Sequence, residues 1–204
     1  MKLQQIENAL NRHPFHVIEA RDRAHAAVAI ILEEKLDEGV NVLFIERSKT
    51  ESDPWSGHIG FPGGKVERSD KSHRDAAERE VMEEVGIELS RSRYLGRISD
   101  IAPAGLDIVV SGFVYAVNST PELQPDSHEV TKAFWLPLTE MANPLHRWYV
   151  EYKWHDRMRR FPALNHFEEN AKPIWGITYR MLRNFYKAML PCSQSTSRRN
   201  GEWS

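Results

Sequence analysis

One cysteine, Cys192, is all that this chain contains. That excludes an internal disulfide and any zinc site built from cysteines. It also sets a reducing, cytoplasmic compartment as the expectation. Long apolar runs are missing as well: none reaches the roughly 18 residues that a membrane-spanning helix requires. The opening stretch, MKLQQIENALNRHP, lacks the apolar centre of a secretory signal. Neither sign of charge is in excess. Lys and Arg total 27 against 29 Asp and Glu, a formal net charge of -2, so the balance points to neither nucleic acid nor an anionic membrane as partner. No internal repeat or low-complexity linker interrupts the body. What remains is a globular composition, 41% hydrophobic and 27% charged over 204 residues, long enough to bury a core.

Local pattern divides this body. Leu3 to Arg12 suits a short helix stopped by Pro14. Ala24 to Lys35 and Val40 to Ser48 are β-rich apolar runs joined by LDEG, a strand pair with a turn. Thr50 to Gly57 reads as a polar loop, and HIGFPGG as a short strand entering a turn. Ser72 to Val85 is the clearest helix, with Ser72 as cap and Gly86 as stop. RYLGRIS, DIVVSGFVYAV, EVTKAFWLPL and RWYVEYKW (Arg147 to Trp154) follow as strand candidates. Gly105 is placed at a hairpin, as a structural glycine. Ile174 to Leu190 has helical spacing through Ile177, Met181, Phe185 and Met189. Strands in the middle with one helix inserted and one closing helix predict an α/β/α sandwich around a mixed sheet. The expected divisions are an extension over 1–23, a main domain over 24–190 and a frayed tail over 191–204.

Within the helix, Ala76, Ala77, Val81 and Val85 can supply the buried side. Glu80, Glu83 and Glu84 fall at i, i+3 and i+4, neighbouring positions on one face. Like charges so placed repel each other, and a hard divalent cation would remove the repulsion. Magnesium takes oxygen ligands, commonly one or two carboxylates plus substrate phosphates. Arg79 stands where it can orient a carboxylate or touch phosphate. The preceding PGG turn brings backbone near the same point, because glycine tolerates the dihedrals required. A carbonyl of Gly63 or Gly64 could complete the coordination.

These residues resemble the Nudix box, a loop–helix–loop whose core is R-E-U-x-E-E-x-G-U with U aliphatic. Arg79, Glu80, Val81, Glu83, Glu84, Gly86 and Ile87 match every fixed position. The front half differs: Gly64 is followed six residues on by Asp70, where the box has Glu, and Arg79 comes one residue later than usual. FPGGKVERSD with this longer spacing resembles the branch that hydrolyses coenzyme A. That branch also carries an Arg four residues before a Gly and then F-P-G-G. Gly57 and Phe61 fit, whereas Asp53 stands at the Arg position and LFIERSK replaces the branch's L-L-T-x-T. HEVTKAFWLPL and IWGITYRML are again similar to that branch, so the resemblance runs from Ala24 to Leu190.

The resemblance implies a Nudix domain that hydrolyses a diphosphate linked to another group, with Mg2+ or Mn2+. The implied ligands are Glu80 and Glu84, with Glu83 sharing a further ion and Gly64 as backbone ligand. Arg79 would orient rather than carry protons, since guanidinium stays protonated. The family takes its base either from a box glutamate, here Glu83, or from a later loop, here Glu129, with His128 beside it as an alternative. Trp55 and the later aromatics Trp148, Tyr149, Tyr152 and Trp154 are candidates to stack a base. His58 is a candidate phosphate contact, and Arg157, Arg159 and Arg160 are basic residues of a loop that could meet a further phosphate. The expected partner is a small nucleotide-type molecule, with a homodimer possible. The substrate could equally be a nucleotide sugar, ADP-ribose, a dinucleotide or a nucleoside triphosphate. A non-catalytic binding module of the same fold is the reading from a different class, and three carboxylates on one helix face speak against it.

Overall fold

A computed structural model describes residues 1–36, 38–49, 56–154, 157–165 and 171–190. The expectations for Trp55, Asp53 and the 191–204 tail lie outside these residues. The described strands are β1 (Ala24–Lys35), β2 (Gly39–Arg47), β3 (Ile59–Gly60), β4 (Gly63–Lys65), β5 (Arg93–Ile101), β6 (Ile108–Val117), β7 (Val130–Pro137), β8 (Arg147–Trp154), β9 (Arg157–Leu164) and β10 (Ile174–Trp175). The helices are α1 (Leu3–Arg12), α2 (His73–Val85), the single turn α3 (Leu138–Met141) and α4 (Gly176–Met189).

The central sheet runs β3-β2-β1-β6-β5, with β7 on β2 and β4 on β1. It is mixed: β1 and β6 are parallel, from Ala24 opposite Ile108 to Glu33 opposite Val117, and the other pairs are antiparallel. β1 is apolar on both sides and therefore suits a sheet covered on both faces. Its Ala27, Ala29 and Ile31 pack in one cluster with Ala76, Ala77, Val81 and Val85 of α2. Its Ile30 and Leu32 pack in the other with Ile6 and Leu10 of α1 and Met181, Leu182 and Phe185 of α4. The chain is an α/β/α sandwich around a mixed sheet.

α2 has the expected bounds for local reasons. Ser72 Oγ accepts from the Asp75 N–H at 3.1 Å, and Asp75 places a negative charge in the first turn. Gly86, at φ +74, ends it by donating its N–H to Met82 O at 3.1 Å.

Two sequence expectations are corrected. Ile174 to Leu190 is not helical throughout. Ile174 and Trp175 pair with Leu164 and Ala163 of β9, and Gly176, at φ +65, makes the turn into α4. Arg157, Arg159 and Arg160 lie in β9 and not in a loop. Charged residues on both sides of that strand hide its alternation. Its order comes from β8, which it pairs from Arg147/Leu164 to Trp154/Arg157.

Candidate metal and diphosphate site

The glycine turn is fixed to the sheet before it meets the helix. Gly63 and Gly64 of β4 stand opposite Val28 and Ala27 of β1. Gly63 has φ +142, and a β-carbon there would lie 2.3 Å from Ala27 O and 2.5 Å from Val28 Cα. Its N–H donates to Glu84 Oε2 at 2.7 Å. Gly64 serves the neighbouring acid instead: a β-carbon there would lie 2.2 Å from Glu80 Oε2. Glycine is thus required at Gly63 by the close approach to β1 and at Gly64 by the close approach to the Glu80 carboxylate.

Glu129 arrives from the far side of the sequence. Gln124 N–H donates to Val85 O and Asp126 N–H to Glu84 O, both at 3.0 Å, which clips the loop before β7 onto the end of α2. Glu129 then donates its N–H to Asp126 O at 3.0 Å, and its carbonyl accepts from Ser48 N–H at 2.8 Å. Carboxylate oxygens of Glu80, Glu84 and Glu129 consequently lie within 4.8 Å of one another. Glu84 is fully buried, Glu80 partly so, and Glu129 is exposed.

Burial dominates the electrostatics of this cluster. It pushes the Glu84 carboxyl up to about 8, against the Gly63 N–H and the Arg47 guanidinium, while Glu80 and Glu129 add to the rise. Glu80 is raised for the same first reason, with Arg79 opposing and Glu83 and Glu129 adding. Two carboxyls driven towards holding their protons in the metal-free protein mark a place where a cation would be favourable.

Arg79 braces the outer side. Its Nε and one terminal nitrogen grip Asp70 Oδ1 and Oδ2 at 3.0 and 3.1 Å. The same terminal nitrogen donates to Lys65 O at 3.1 Å, and the other donates to Glu80 Oε1 and Glu83 Oε2, both at 2.9 Å. This bidentate grip holds the Asp70 carboxyl below the usual carboxylate range. Asp70 pairs with Arg79 despite its shorter side chain and the extra residue between them.

Among the sequence candidates, the structure brings together Gly64, Glu80, Glu84 and Glu129, with Arg79 against Glu80. Glu83 stands outside the trio, its side chain 56% exposed and engaged by Arg79. His128 is exposed and donates its N–H to Asp126 Oδ1 at 2.9 Å. The His58 ring lies 4.9 Å from that of Trp175. Trp148 and Tyr149 are exposed on the β8–β9 ribbon. Arg47 was missed: its guanidinium donates to Glu84 Oε1 at 3.2 Å. Only its place at the end of an apolar strand, after Phe44 and Ile45, could have hinted at it.

Fold and site together define an α/β/α protein in which a glycine turn and one helix present a carboxylate cluster suited to a divalent cation. The chain belongs to the NUDIX family: the NUDIX domain matches residues 23–158, well over half of its length. It is 29% identical over 154 residues to a probable nudix hydrolase of Schizosaccharomyces pombe, covering 76% of this chain and 52% of that protein. It is 28% identical over 138 residues to a mitochondrial coenzyme A diphosphatase of Homo sapiens, covering 67% of this chain and 58% of that protein. The chain thus spans little more than half the length of these curated relatives. The crystal structure of a MutT/nudix family protein from Enterococcus faecalis aligns with a TM-score of 0.55 at 15% identity, over 92% of this chain and 68% of that one, a likeness of fold. No helix among the described residues is long and apolar enough to cross a membrane.

Proposed function

We propose that this chain hydrolyses the diphosphate bond of a nucleoside diphosphate joined to a second group, with Mg2+ or Mn2+ as cofactor and coenzyme A or a derivative as substrate. The observation that carries this reading is the convergence of Glu80, Glu84 and Glu129 within 4.8 Å. An all-carboxylate donor set beside a backbone turn fits a hard divalent cation. Glu80 and Glu84 would hold it with the Gly64 carbonyl, and Glu83, beside them, is the acid available to a further ion. Bound there, the cation supplies charge neutralisation at phosphate oxygens and a more acidic water.

The chain's own residues supply the rest. Arg79 keeps Glu80 turned towards the glycine turn, and Arg47 and the Gly63 N–H keep Glu84 in place. Glu129 takes a proton from the attacking water. The water oxygen bonds to phosphorus, the bridging P–O bond breaks, and its electron pair leaves with the departing phosphate, giving two phosphorylated products. Coenzyme A is favoured by FPGGKVERSD with its longer spacing, and by a relative named as a coenzyme A diphosphatase. Asp53, at a position where that branch has Arg, favours a second reading: the same chemistry on a nucleotide sugar, ADP-ribose, a dinucleotide or a nucleoside triphosphate.

The test is incubation with Mg2+ or Mn2+ and a panel of these diphosphates, with products identified by mass and Glu84→Gln run alongside. Cleavage of coenzyme A well above the rest, abolished by EDTA and restored by either ion, is expected. Preference for another compound would keep the chemistry and discard the branch. Full turnover in the chelator would overturn the carboxylate mechanism.

A further inference from the structure

Beyond the carboxylate cluster, an open cleft of about 350 Å³ lies at the junction of the central sheet and the β8–β10 sheet. That is the lower end of the range for small-molecule sites. Lys49, Gly57, His58, Val150, Lys172 and Trp175 line it. Trp175 is the hub: its ring centroid lies 4.9 Å from that of His58, 5.0 Å from Tyr152 and 5.8 Å from Phe161. The register of β8 on β9 sets Tyr152 opposite Arg159, and directly opposed residues of an antiparallel pair share a face. The face that carries Tyr152 towards Trp175 therefore also carries Arg159. The described lining holds two lysines and no carboxylate.

This cleft is tied to the cluster through consecutive residues of β2. Glu46 Oε1 accepts from Lys172 Nζ at 2.6 Å, positioning one of the cleft's lysines. Arg47 donates its N–H to His58 O at 3.0 Å and its guanidinium to Glu84. Successive side chains of a strand point to opposite faces. One ligand reaching both places would pass around the end of this strand, with its reacting bond at the carboxylates and its other end against Trp175.

We infer that this cleft is a subsite for a nucleoside-type group, a flat heteroaromatic ring on a sugar that bears a phosphate monoester, the end of the substrate remote from the bond that breaks. The rings of Trp175 and His58 suit a ring face, and Lys49 in the lining, with Arg159 on the neighbouring face of the ribbon, suits a phosphate. The inference rests on the diphosphate reading for the ligand's far end, but binding of the fragment needs neither metal nor turnover. It gives the β8–β9 ribbon a role that the catalytic cluster leaves unexplained.

The experiment is calorimetric titration of the protein, in EDTA, with adenosine 3′,5′-bisphosphate, adenosine and inorganic phosphate. The bisphosphate is expected to bind at least about tenfold more tightly than either simpler probe, since charge-assisted hydrogen bonds to a phosphate contribute on that scale. Lys49→Ala and Arg159→Ala are each expected to weaken it several-fold. Trp175→Leu, with folding checked by circular dichroism, should weaken both the bisphosphate and adenosine. Glu84→Gln should leave fragment binding unchanged while abolishing hydrolysis. Absence of bisphosphate binding, binding indifferent to both cationic substitutions, or binding lost in Glu84→Gln would each overturn the subsite. Fragment binding with the expected pattern in a protein that hydrolyses nothing on the panel would overturn the proposed reaction and leave the subsite standing.

Discussion

The carboxylate of Glu80 occupies the space that a β-carbon on Gly64 would need, with Oε2 2.2 Å from that position. The obstacle is the tip of a side chain, so Gly64→Ala can be accommodated by swinging Glu80 away. The fold should survive, and the cluster should open. We expect near-native thermal stability with Mg2+ affinity and kcat/KM lower by at least about tenfold, on the scale of a displaced charge-assisted contact. Calorimetry with the metal and a thermal melt check both halves. Unchanged metal affinity would detach Gly64 and Glu80 from the metal site.

Gly63, one residue earlier, should behave in the opposite manner. A β-carbon there meets backbone at 2.3 and 2.5 Å, and φ +142 is strained for any other residue. Nothing at that contact can rotate aside, so β4 must leave β1. Gly63→Ala should lower stability by about 3 kcal/mol or more, because a clash and a special backbone angle combine. Urea denaturation reads this directly. A midpoint close to that of the native protein would show that the β4–β1 approach is looser than described.

The contrast between these glycines shows what was legible in advance. α2 was readable because its capping, its apolar stripe and its acidic face are all local, written at spacings of three and four residues. The sheet candidates were readable from β-rich runs and turn residues. Arg47 was not, because it reaches Glu84 only through the alternation of β2 and the packing of that strand against α2. Glu129 was visible as an acid in a loop, yet its position depends on two backbone hydrogen bonds from Gln124 and Asp126 to the end of α2. β9 reads as a loop in the sequence because its charges mask its alternation, and the aromatic hub at Trp175 appears only when residues from three strands meet. Asp70 lies between these extremes. The sequence shows only that it stands one residue further from Arg79 than the box has its acid, and the bidentate contact forms across that spacing.

Glu84 makes the metal-free protein sensitive to pH in a defined direction. Its carboxyl sits near 8 in the fold against about 4.5 when free, so between these values the folded state holds a proton that the unfolded chain has lost. Stability should then fall as pH rises from about 4.5 to about 8. Glu80 is raised as well and adds to this trend. Metal binding requires the ionised acids, so Mg2+ affinity should rise over the same window and the cation should restore the lost stability. Melting temperature against pH, with EDTA and with Mg2+, checks both limbs. In Glu84→Gln the metal-free decline should shrink. A decline of the same size in that variant would assign the titration to another group.

Glu129 is the exposed member of the trio, on a loop, and this separates two roles that share one geometry. A ligand contributes to holding the metal, whereas a base contributes to the rate once the metal is held. Glu129→Gln keeps the size of the side chain and one oxygen acceptor, and the loop remains clipped by backbone hydrogen bonds that the substitution does not touch. The proposed base should therefore show a kcat lower by roughly 10²- to 10⁴-fold, the range for losing a general base, with Mg2+ affinity within about threefold of native. The metal titration of this variant should keep its own pH dependence through Glu84. A variant whose metal affinity falls in step with its rate would make Glu129 a ligand, and the search for the base would pass to His128 and Glu83.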